Sequence, residues 1–109
     1  MNTPEIRTWN SGLSVRASKT GARSLLGRSL ANQGKFAPAA KELLVAAAAL
    51  KGNNEALAPV LFFLGFCSAK LERHRDAVTY LAQAAKIPGP YQAPASDLLT
   101  KVRAALSGR

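Results

Sequence analysis

Residues 25–46 read LLGRSLANQGKFAPAAKELLVA, and residues 63–84 read FLGFCSAKLERHRDAVTYLAQA. Laid over each other 38 positions apart, Leu26-Gly27 falls on Leu64-Gly65, and Phe36, Ala39 and Ala46 fall on His74, Ala77 and Ala84. A repeat of this length marks stacked helix-turn-helix units. Such units present an extended surface to partners and seldom carry chemistry. The small residues have a packing reason. In a tight helix pair one helix must offer a notch for a ring or a Leu of the other. Gly27 and Gly65 are the expected notches on the first helix of each pair, and Ala39 and Ala77 on the second, while Phe36 and His74 plug the turns.

Working outward, residues 20–33 form a first helix with Leu25, Leu26, Leu30 and Ala31 on one side, stopped by Gly34. A second helix covers 36–50, with Pro38 in its first turn and Ala39, Leu43, Leu44, Ala46, Ala47 and Leu50 inward. Gly52-Asn53-Asn54 breaks the chain. The third helix, 55–71, has Pro59 near its start and is apolar on almost all sides, so it needs contacts on more than one face. A fourth, 74–87, turns Ala77, Tyr80, Leu81, Ala84 and Ala85 inward and ends at Pro88-Gly89-Pro90. The fifth, 94–106, repeats Leu98, Leu99, Val102, Ala105 and Leu106 at intervals of three and four. Residues 1–19 lack a helical apolar period and read as an extended arm anchored by Ile6 and Trp9.

At the repeated positions the chain resembles the tetratricopeptide repeat family, whose motif runs Leu-Gly, Gly, Tyr or Phe, Ala, Ala and a closing Pro over about 34 residues. The first repeat, 20–53, matches at Leu26, Gly27, Gly34, Phe36, Ala39 and Ala46, with Lys51 where the closing Pro falls. The second, 54–91, matches at Leu64, Gly65, Ala77 and Ala84, with Glu72 for the second Gly and His74 for the ring. Residues 92–109 then form a capping helix. The resemblance implies an all-α fold: a right-handed helix-turn-helix solenoid of about five antiparallel helices with an extended N-terminal arm. It also implies that the first helix of each pair lines a groove. In this chain that places Ser24, Arg28 and Asn32 beside Phe62, Phe66 and Lys70, an apolar centre flanked by positive charge and an amide. The family's Lys and Asn clamp for peptide carboxylates is not reproduced. Two repeats and a closing helix fall short of the roughly three that usually sustain such a stack, so an apolar face is left for the arm, the fifth helix or another protein to cover.

The formal charge of +9 is placed unevenly. Residues 1–35 hold six Lys and Arg against Glu5, whereas 36–90 hold six against four acids. The basic arm, with Arg7, Arg16, Lys19 and Arg23, points to an acidic neighbour: a protein face, nucleic acid or an anionic membrane. RNA or ribosome binding is the rival reading, although the arm offers only Trp9 for base stacking. The longest uncharged run of the body, Ala56 to Ala69, falls short of the ~20 residues that span a bilayer. The Arg-, Ser- and Thr-rich start is similar in composition to an organellar transit peptide, and the single Cys67 favours an intracellular setting. One His and one Cys do not build a zinc site, and no Gly-rich phosphate loop or nucleophile elbow is present, so no cofactor is expected. His74-Arg75-Asp76 matches three letters of a kinase catalytic loop without its companions and reads as a helix start, with Asp76 favourable to the dipole. The sequence therefore leads to a non-catalytic protein–protein interaction module, a scaffold or accessory subunit of a larger assembly.

Overall fold

The computed structural model describes the backbone of residues 11–108 and the side chains of residues 20–108. Five helices follow one another: α1 (Ser11–Asn32), α2 (Phe36–Ala49), α3 (Asn54–Lys70), α4 (His74–Ala85) and α5 (Gln92–Ser107). No strand occurs among the described residues. Each helix packs on the next, and α3 also touches both α1 and α5. One expected boundary is wrong. The arm was to stay extended to residue 19, yet α1 is helical from Ser11. Residues 13–20 contain no Gly or Pro, so a helix nucleated over 20–32 propagates through them at little cost per residue. The first ten residues lie outside the described ones.

The two hairpins repeat in their hydrogen bonds as well as in their letters. At the end of α1 the Gly34 N–H donates to the Ala31 carbonyl (3.0 Å) and the Lys35 N–H to that of Leu30 (2.9 Å). At the end of α3 the Glu72 N–H donates to Ala69 (3.0 Å) and the Arg73 N–H to Ser68 (2.8 Å). Each partner lies 38 residues beyond its counterpart. This is the 6→1 and 5→2 pair of a helix C-terminal cap that turns through the left-handed region. Gly34 adopts it at φ +83° without penalty, whereas Glu72 adopts it at φ +61°. A side chain there costs roughly 1–2 kcal/mol, partly offset by the extra unfolded-state freedom a glycine would bring. Glu72→Gly is therefore expected to stabilise the fold by about 0.5–1 kcal/mol, read as a higher urea midpoint at unchanged slope.

Both glycine notches are occupied as expected, and the occupant in each case is a leucine. A Cβ built on Gly27 would sit 2.6 Å from Leu43 Cγ, and one on Gly65 would fall on Leu81. Leu43 and Leu81 are fully buried, as are Ala39 and Ala77 one turn earlier on the same helices. Ala77→Leu is expected to overpack α4 against α3 and lower stability by about 1–3 kcal/mol in thermal or urea unfolding.

The core falls into two clusters joined through α3. One gathers Ala31, Ala39, Leu43 and Ala46 with Val60, Leu64 and Cys67; the other gathers Ala58 and Leu61 with Ala77, Leu81, Ala84, Ala95, Leu99 and Val102. The all-round apolar character of α3 is thus explained, since it is buried from both sides. Tyr80 packs against both clusters. Burial first, and then the Asp76 carboxylate, raise its hydroxyl above the usual tyrosine range. Pro59 stands as the sixth residue of α3, near its start as expected. Four side chains expected inward face solvent. Leu44 is 48% exposed on α2, Leu25 and Leu26 are 62% and 48% exposed on α1, and Ala105 is exposed on α5. Leu44 lies one residue beyond Leu43, about 100° round the helix, and falls outside the face that buries Leu43 with Ala39, Ala40 and Ala46.

Candidate interaction surface

Helices α1 and α3, with the start of α5, share one face, and its centre is aromatic. Phe62 and Phe63 are neighbours on α3, with ring centroids 5.3 Å apart and planes nearly perpendicular. Tyr91, just before α5, packs on both, 5.7 Å from Phe62 and 6.5 Å from Phe63. Arg28 reaches across from α1. Its guanidinium stands 5.2 Å from the centroid of Phe63 and donates to the Tyr91 hydroxyl at 3.3 Å. One cation thus ties α1 to the approach of α5 over the back of α3. One turn further along α3, Phe66 meets Phe36 edge-on at 5.8 Å, and the Lys70 ammonium lies 5.6 Å from the Phe66 centroid. Phe62, Phe63, Phe66 and Tyr91 are all half-buried, so each ring keeps part of its surface in solvent.

Each expected site residue can now be placed. Arg28 and Phe62 converge, through Phe63 and Tyr91, while Phe66 and Lys70 form a second group with Phe36. Ser24 is half-buried and Asn32 exposed on α1. Arg23, read as part of the arm, instead forms an ion pair with Glu42 of α2 at 3.0 Å. Both partners are substantially exposed, so this pair steers more than it stabilises. Arg16 and Lys19 stand on α1 with side chains outside the described residues, and Arg7 lies wholly outside them. Tyr91 is one site residue that sequence reasoning missed. It follows Pro88-Gly89-Pro90, where helical periodicity gives no signal, and only the turn of the chain brings it back to α3. Phe63 was missed as well, although the repeat offered a signal, since it stands 38 residues beyond Leu25.

Cys67 is fully buried, and burial pushes its thiol up to about 11. The group stays neutral in the native state at pH values where an unfolded thiol, at the ordinary 9.0, would ionise. Its contribution to stability is complete below about 9 and is lost as pH rises toward 11. A thiol-reactive dye at pH 8 is expected to label Cys67 only as fast as the chain opens, and fully in denaturant. Among the described residues no three His, Cys, Asp or Glu side chains gather into a metal-sized group. No described helix is long and apolar enough to cross a membrane. Comparison of the chain with protein-family models, curated proteins and solved structures finds no match.

Proposed function

We propose that this protein is a non-catalytic protein–protein interaction module, a small scaffold or accessory subunit built as two tetratricopeptide-like hairpins and a closing helix. The observation that carries this reading is the half-buried row Phe62, Phe63 and Phe66 along α3, bordered by the Arg28 and Lys70 cations. Apolar surface framed by positive charge fits an extended or helical peptide with a hydrophobic anchor and an acidic flank. Aromatic and Arg side chains are also the residue types that concentrate binding energy at interfaces. The surface is already partly furnished by its own rings, so a partner adds to a preformed patch at little ordering cost.

The test is capture of the partner from the native source, followed by affinity measurement with purified components. Phe62→Ala with Phe66→Ala is expected to weaken binding by at least ~10-fold with the helical circular-dichroism signal retained, a loss of about 1.4 kcal/mol. Arg16→Glu with Lys19→Glu tests the basic segment of α1. If RNA were the ligand instead, as the +9 charge would favour, affinity should fall steeply as salt rises, whereas an aromatic contact should hold. Unchanged affinity in both double variants would reject the proposal.

A further inference from the structure

The repeat allows α1 to be compared with α3 position by position, and the comparison exposes what α1 lacks. Val60, Leu64 and Cys67 of α3 are buried against the first hairpin, at 0%, 1% and 0% exposure. Thirty-eight residues earlier stand Ala22, Leu26 and Ser29 of α1. All three are exposed, Leu26 at 48%, and beside them Leu25, counterpart of the half-buried Phe63, is exposed at 62%. The difference is one of neighbours. α2 lies against α3 from the preceding hairpin, whereas no described element precedes α1. Ala22, Leu25, Leu26 and Ser29 are spaced i, i+3, i+4 and i+7, so they form a single stripe along α1.

We propose that this stripe is a docking face for a helix of a partner protein, seated on α1 as α2 is seated on α3. The occupant is an amphipathic helix with small and branched apolar residues on its inner face and acidic residues alongside. The charge pattern selects it. Residues 11–35 carry Arg16, Lys19 and Lys35 with no Asp or Glu, besides Arg23, which pairs with Glu42, and Arg28, which is held on the aromatic face. A second copy would bring the same cations against these, and like charges across an interface disfavour it. This inference rests on the interaction-module reading but uses a surface separate from the aromatic one.

A synthetic probe tests it directly: a fluorescent peptide of residues 36–50 carrying Lys41→Glu, Val45→Glu and Ala48→Glu, which keeps the buried side of α2 and makes its solvent side acidic. The expected result is saturable binding to the full chain by fluorescence anisotropy. It should weaken at least ~10-fold with Leu26→Glu and with Leu25→Ser plus Leu26→Ser, and persist with Phe62→Ala plus Phe66→Ala. The substituted leucines are solvent-facing, and an unchanged helical circular-dichroism signal is the check that the variants fold. Equal binding by the Leu26 variants, or no saturable binding, overturns the proposal. So does a dimer in sedimentation velocity that Leu26→Glu dissolves, or peptide binding that appears only on removal of residues 1–10. Loss of the peptide with the Phe pair alone would overturn this face while leaving the interaction-module reading intact.

Discussion

Leu81→Ala is expected to lower stability by about 2–5 kcal/mol and to bring a chain of this size close to global unfolding. Leu81 is fully buried, with its branch in the space that a Cβ on Gly65 would need. Truncation removes that branch from the glycine notch. The opposing surface is glycine backbone with no side chain to swing into the void, so the cavity stays. The same cluster holds Ala77, Ala84, Leu99 and Val102, and the defect is therefore felt by α5 as well. At roughly 4–8 °C per kcal/mol for a small domain, the thermal midpoint should fall by about 8 °C or more. Leu43→Ala, the matching change in the first hairpin, acts by the same mechanism.

Gly65→Leu is the converse and should cost about 3 kcal/mol, at the upper end of overpacking effects. The collision involves Leu81 at its branch point, and Leu81 is enclosed by the second cluster. The helices must then separate or Leu81 must leave its rotamer. Because Phe62, Phe63 and Phe66 share α3 with Gly65, separation would also displace the aromatic row from Arg28 and Tyr91. Quenching or chemical-shift changes at Tyr91 in the variant would report that displacement alongside the loss of stability.

Much of this architecture is readable in the sequence because its determinants are local. Gly34, Gly52 and Pro88-Gly89-Pro90 mark helix ends, and period-three-and-four leucines mark inner faces. The notch positions were legible because the Gly27-to-Ala39 spacing recurs as Gly65 to Ala77. What failed to show depends on neighbours that a pattern does not contain. Leu25 and Leu26 satisfy the helical period as well as Leu30, yet they face outward because nothing described packs before α1. Arg23 looked like part of a free basic arm until Glu42 of α2 was brought beside it. Tyr91 joins the aromatic face only through the loop that carries the chain from α4 to α5. Glu72 is the reverse case: it departs from the glycine of the repeat pattern, yet the backbone keeps the left-handed turn with a side chain on it.

The central claim is that one hairpin is built twice, each copy closed by a leucine in a glycine notch. A double-mutant cycle on Gly65→Ala and Leu81→Ala in urea tests it most directly. Alone, Gly65→Ala inserts a methyl into Leu81, and the clash outweighs the roughly 1 kcal/mol that alanine gains over glycine in a helix. In the Leu81→Ala background the clash is gone and the same change should stabilise, giving a coupling of at least about 1 kcal/mol. Effects that add to within about 0.5 kcal/mol would mean that the two residues do not share the notch, and would contradict the account.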